Sequence, residues 1–330
     1  MNLELLKKIC SVKGASGEEH NIADFILNEI KSHIDEHSID ALGNLIARKK
    51  GTGKKMMLAG HMDQIGMMVT HVDKEGFIWF TNIGGLTPTV IHSTRVIFSN
   101  GMTGIINCER LEDPAKIALD KMYIDIGAVS KEEAEKHVKI GDVCVFSQEP
   151  VIDDHKIMTP YLDDRIGCYV MIEALRKISK PAFDLYFVFT VQEEVGLRGA
   201  KTAAYSIDPD YGISFDVTLS ADTPKCRKLP QKFDGGACIK IKDLSILCHP
   251  LMVKHMEKCA IDAGIKYQFE ILEAGGTDSG AIHVNKGGVP SGVISIPSRH
   301  IHSTNEMARL SDIQDCIDLT VKVLETGIEM

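Results

Sequence analysis

The stretch LYFVFTVQEE closes an apolar run with two adjacent acids, Glu193 and Glu194. Ionised carboxylates placed there repel each other and lose water, so a cation should lie beside them, either Arg198 or a metal ion. Other acids and imidazoles recur in comparable settings. In AGHMDQ, His61 and Asp63 are two apart, and in a strand that spacing turns both side chains to one face. A metal-bound imidazole usually gives its second N–H to a carboxylate, which would make His61 a ligand and Asp63 the group behind it. YLDDRIG sets Asp163 and Asp164 at the start of a helix, where one acid suffices as a cap and the other is left over. YGISFD ends in Asp216, and SRHIHST offers His300 and His302.

Singly, these residues have ordinary readings. His61 fits a buried histidine with a satisfied hydrogen bond, Asp216 a turn residue and His302 a surface loop. His71-Val72-Asp73 even repeats the spacing of His61 and Asp63, although Asp73 belongs to the turn DKEG. Their weight comes from the elements that carry them. Strand-like runs KKMMLAG, FDLYFVFTV, YGISFD and SGVISI alternate with helix-like DRIGCYVMIEALRKIS, HPLMVKHMEKCAIDAG and a last helix from Asp312 to about Glu325. That alternation predicts a layered α/β domain, in which ligand sites gather at the carboxyl ends of the strands. The acids and imidazoles above fall at such ends.

Between Ile65 and about Ile157 the texture changes to short strands such as IGMMVTHV, RVIFS and DVCVF separated by turns. This predicts a small β-barrel or sandwich over 65–158, inserted into an α/β domain made of 1–64 and 159–330. Ser16 with Glu19, and Ser130 with Glu133, read as capping boxes, and Gly43-Asn44 as a hairpin turn.

At 330 residues, with 44% hydrophobic and 25% charged, the chain can bury a sizeable core. A net charge of -9 argues against nucleic acid or an anionic membrane as the main partner. Nine cysteines, an odd number with no C-x-x-C pair, predict reduced thiols in a cytoplasmic protein. No run reaches the ~18 apolar residues of a membrane span, and the N-terminus has no export leader, so a cytoplasmic location is expected.

With His61, Asp163, Glu194, Asp216 and His302 as ligands and Asp163 bridging, two ions would each receive three protein donors and share a water. Glu193, left free, would act as general base, taking a proton from that water and returning it to a leaving amine.

In chain order, AGHMDQIG, YLDDRIG, TVQEEVGLRGA, SFDV, ADTP, GGTDSGAIH and SRHIHS resemble the motifs of the co-catalytic metallo-aminopeptidases that assemble as tetrahedral dodecamers. That family includes deblocking and glutamyl aminopeptidases and proteins once labelled cellulase M, and the resemblance spans nearly the whole chain. It implies a layered α/β/α metallopeptidase domain of the phosphorylase/hydrolase-like class. One ion would be held by His61, Asp163 and Asp216, the other by Asp163, Glu194 and His302. Glu193 would be the catalytic base, Asp63 the carboxylate behind His61, and the Asp163-Asp164 peptide cis. His302, rather than His300, precedes the serine of the family motif. Gly276, Thr277 and Asp278 match a stretch near the substrate, or else form a glycine turn in which Thr277 caps a helix.

The inserted β unit resembles the family's dimerisation domain, so a homo-oligomer built from dimers up to a dodecamer is implied. So is removal of N-terminal residues from short peptides with a free N-terminus. Two divalent ions per subunit are implied, with zinc favoured by the carboxylate and imidazole donors and cobalt or manganese as alternatives. LPQKFDGGAC departs from the shorter Lys- and Gly-rich loop that follows ADTP in the family, which bears on substrate preference. The rival functions are a deacylase or carboxypeptidase on the same metal pair, a glucanase, and a non-catalytic scaffold. Glycosidases usually need two carboxyls and no metal. A scaffold would lack a ligand or the base, and none is missing.

Overall fold

The computed structural model describes residues 1–328, so the last two of the stretch 159–330 lie outside the described residues. At its centre the strand Lys55–His61 runs parallel to Asp184–Thr190 on one side and Tyr211–Leu219 on the other, with Ser291–Arg299 parallel beyond. These strands are apolar almost throughout because both faces are covered. Alternate residues serve opposite layers. Leu58, Phe187 and Phe189 pack with the helices Leu162–Lys177 and Leu310–Glu325, whereas Met57, Ala59 and Val188 meet Ala200, Ala203 and Ala204 of the helix Arg198–Ile207. The result is the expected α/β/α layering.

The hairpin Glu36–Ile39 and Leu45–Lys49 adds an antiparallel edge. Its turn falls where expected, with the Asp40 carboxylate accepting the N–H groups of Leu42, Gly43 and Asn44 and Gly43 at φ 106.

The intervening β-rich stretch is a barrel, not a sandwich. Its strands Gly66–Val72, Ile78–Ile83, Met122–Asp125, Thr103–Cys108, Arg95–Phe98 and Val143–Phe146 close in that spatial order. They bury a separate core that includes Val69, Phe80, Phe98 and Ile106. The strands Val151–Ile152 and Lys156–Thr159, although within 65–158, pair with each other and with Glu306–Arg309 in the large sheet.

Ser130 caps as expected, accepting the Glu133 N–H, and Glu133 in turn accepts from Val129. Ser16 does not cap. The helix His20–Ile30 starts without a side-chain cap, and the Ser16 hydroxyl donates to Asp63 at 2.6 Å instead. A buried carboxylate outcompetes a helix end for that hydroxyl, because charge-assisted hydrogen bonds are the stronger kind. After Thr277 only one helical turn forms, Ser279–Ile282, and Thr277 is not its cap.

Candidate metal centre

The sheet delivers its polar residues to one end. Thr190 is level with His61 in the parallel pairing, so Glu193 and Glu194 emerge beside Asp63. Ser214 is level with Ala59, which brings Asp216 alongside His61. Asp163 enters from the start of the helix Leu162–Lys177, and His302 from the loop after the strand Ser291–Arg299.

Two groups of donors result: His61, Asp163 and Asp216, and Asp163, Glu194 and His302, with the donor atoms of each group within 4.8 Å of one another. Asp163 belongs to both. Its Oδ1 lies 3.0 Å from His61 Nε2 and its Oδ2 lies 3.3 Å from His302 Nε2. Glu194 Oε2 is 3.5 Å from the same His302 nitrogen. The Glu193 carboxylate stands apart, its nearest approach to an imidazole being 3.9 Å at His61 Nε2. His300 is exposed and in neither group.

The acidic pair at the helix start divides its labour. Asp164, not Asp163, caps the helix, accepting from Gly167 N at 3.0 Å and from the His61 backbone N–H at 3.2 Å. The peptide joining the two acids is cis. A Cβ on Gly167 would fall 2.4 Å from both Asp164 carboxylate oxygens, so the cap requires glycine there.

Asp63 is fully buried behind His61, with Oδ1 3.4 Å from His61 Nδ1. It also accepts the backbone N–H of Glu193 at 3.0 Å and of Glu194 at 3.2 Å, so it positions both acids as well as the ring. Sequence reasoning missed its counterpart, Glu306. That carboxylate is 1% exposed and accepts from Asp163 N at 3.0 Å and His302 N at 2.8 Å, tying together two segments about 140 residues apart. An acid four residues after His302 was the one available signal. Arg198, the alternative counter-charge, turns outward to Gln192.

The electrostatics call for added positive charge. Burial, reinforced by Asp163, pushes Glu194 up to about 8. Burial likewise drives Glu193 and Asp216 well above the ordinary carboxyl range. Burial opposes a charge on His302, but the hydrogen bond to Asp163 lifts it to about 10. Burial would also raise Asp163, yet both imidazoles hold it well below its usual value. Glu194 Oε1 is buried without a hydrogen-bond partner. Mixed carboxylate and imidazole donors, crowded, dehydrated and short of positive charge, fit divalent transition ions.

A cavity of about 620 Å³ opens over both groups. Gly276 and Thr277 line it. Asp278 does not: it is 2% exposed and accepts from the Thr190 hydroxyl at 2.5 Å, which places it beneath the site.

An α/β sheet that gathers imidazoles and carboxylates into adjoining groups at its strand ends defines a metal-dependent hydrolase. A family model described as M42 glutamyl aminopeptidase matches residues 43–319, and the chain belongs to that family. A protein of Acetivibrio thermocellus, named only provisionally as an aminopeptidase, is 50% identical over 97% of this chain and 98% of its own. The lysyl aminopeptidase of Pyrococcus furiosus is 37% identical, over 98% of this chain and 96% of its own. Among solved structures, an aminopeptidase from the archaeon Desulfurococcus kamchatkensis superposes with a TM-score of 0.95 at 37% identity, covering 98% of this chain and 94% of that one. The Pyrococcus horikoshii TET1 peptidase, which can assemble into a tetrahedron or a large octahedral shell, has a TM-score of 0.88 at 30% identity, covering 98% of each chain.

Proposed function

We propose that the chain is a dinuclear aminopeptidase, with one ion among His61, Asp163 and Asp216 and a second among Asp163, Glu194 and His302. The observation that carries this reading is the orientation of Asp163, which offers one oxygen to each imidazole. Oxygen and nitrogen donors of this kind suit zinc, with cobalt or manganese as alternatives. Bound there, such ions supply Lewis acidity for the scissile carbonyl and lower the pKa of water to ~7. Glu193 takes the proton of the attacking water and passes it to the departing amine, because its carboxylate stands beside the donors yet belongs to neither group. The cavity would receive a short peptide with its free amine directed toward the residues that would hold the ions.

The reading separates from a deacylase or carboxypeptidase by one assay. After chelation and metal restoration, a peptide with a free N-terminus is expected to be cleaved from that end while its N-acetylated form is spared. Equal cleavage of both contradicts it.

Asp63 and Glu306 act as positioning residues, holding between them the backbone of Glu193, Glu194, Asp163 and His302. Glu306→Gln preserves size but cannot offer a charged carboxylate to both N–H groups. It is expected to weaken metal binding by about 10–100-fold, read by titrating metal-free protein with cobalt. Unchanged affinity removes Glu306 from this role.

The barrel serves as a dimerisation unit within 65–158, carried by a catalytic domain of 1–64 and 159–330 whose sheet the strands Val151–Ile152 and Lys156–Thr159 also join, and dimers assemble into a dodecamer. The tetrahedral assembly of the TET1 peptidase supports this. A cytoplasmic setting accords with free cysteines at every described position; among the described residues no helix is long and apolar enough to cross a membrane.

A further inference from the structure

The preferred N-terminal residue follows from the wall of the cavity beyond the metal groups. The residues lining it there are largely apolar: Leu197, Leu219, Leu272 and Ala274, beside Val217 and Ile301, whose side chains pack with the core. Three of them adjoin the site in the chain. Val217 follows Asp216, Ile301 precedes His302, and Leu197 lies three residues past Glu194. The apolar wall therefore begins where the peptide's amine would be anchored and continues outward to Leu219 and the Leu272–Ala274 loop.

Charged groups near this wall are already engaged. Lys240 lines the cavity but is 1% exposed, and its ammonium lies 2.6 Å from Glu270 Oε1 and 3.1 Å from Asp243 Oδ2. Both carboxylates are themselves buried. An incoming glutamate would have to compete with two fixed acids for that lysine. Glu273, on the loop between Leu272 and Ala274, pairs with Arg227 at 2.5 Å. An incoming lysine would thus lose water and meet, among the described residues lining the cavity, no carboxylate beyond Glu193 and those of the metal groups.

We propose that this cavity selects peptides beginning with an uncharged apolar residue of leucine or methionine size, and discriminates against both lysine and glutamate. This rests on the aminopeptidase reading of the metal pair and adds the substrate class. The Pyrococcus furiosus relative is named for lysine; the wall of this chain favours a different residue.

The test compares leucyl-, methionyl-, lysyl- and glutamyl-4-nitroanilide on the full chain loaded with zinc or cobalt. The kcat/KM for the leucyl and methionyl substrates is expected to exceed the other two by about 10–200-fold, the range over which apolar pockets discriminate. Leu272→Glu is expected to shift the leucyl-to-lysyl ratio at least about tenfold toward lysine. Leu219→Glu, on a half-exposed side chain, repeats the test if the first variant fails to fold. Lysyl or glutamyl turnover equal to or above leucyl in the unaltered protein overturns the inference and leaves the aminopeptidase reading standing. An unchanged ratio in both variants also overturns it, and a metal-loaded protein that cleaves none of the four removes both claims together.

Discussion

Glu193→Gln is expected to keep its metal and its fold while peptidase turnover falls by about 10²–10⁴-fold, the usual contribution of a positioned general base. Glu193 is in neither donor group, so replacing its carboxylate by an amide of the same shape leaves three donors for each ion. Its backbone remains held by Asp63, because the N–H that Asp63 accepts is unchanged. The amide cannot accept a proton from water at neutral pH, and among the described residues no other free carboxylate lines the cavity: Asp278 lies beneath it and Glu306 behind the ligand backbone. The loss should appear in kcat with metal content unaltered. Retained turnover in metal-replete protein removes Glu193 from the proton transfer.

Asp163→Ala is expected to have the opposite signature, with both ions lost and activity lost with them. Each donor group falls from three protein ligands to two, and Glu193 is still repelled by both Asp216 and Glu194. The loss of metal affinity should exceed the ~10–100-fold typical of removing a supporting residue. Because bound metal offsets repulsion among buried acids, the variant should also lose the stabilisation that metal gives the unaltered protein. Calorimetry of both proteins with and without a chelator reads this directly. A variant that retains two ions contradicts the bridging role of Asp163.

These two outcomes rest on residues that the sequence marked by type and position. Glu193 and Glu194 stood out because an apolar strand seldom ends in paired acids, and the alternation of strands and helices placed them with His61 and Asp216 at a common sheet end. The division of Asp163 and Asp164 was half visible. One acid had to be a cap, but which one depended on the backbone turning Asp164 toward Gly167 and Asp163 toward the imidazoles.

Other features were hidden because they depend on long-range packing. Ser16 had a local partner in Glu19, but folding brought Asp63 within 2.6 Å of it, and the tertiary contact won. Glu306 lies on a short strand where its spacing from His302 is the one local cue, and the pairing of Lys156–Thr159 with Glu306–Arg309 is what brings it under Asp163. Asp278 shares a glycine-rich stretch with two cavity residues, yet the backbone turns it inward to Thr190. The strands Val151–Ile152 and Lys156–Thr159 share the short-strand texture of the barrel but hydrogen-bond to the other sheet. Composition records how apolar a strand is, and leaves open which neighbour it pairs with.

The central claim is that Asp163 joins two cations in one centre. Diffraction data collected on both sides of the zinc absorption edge, from crystals of fully active protein, test it most directly. Two anomalous peaks per chain are predicted, one among His61, Asp163 and Asp216 and one among Asp163, Glu194 and His302. Active crystals with no peak there, or with a single ion that Asp163 does not touch, contradict it.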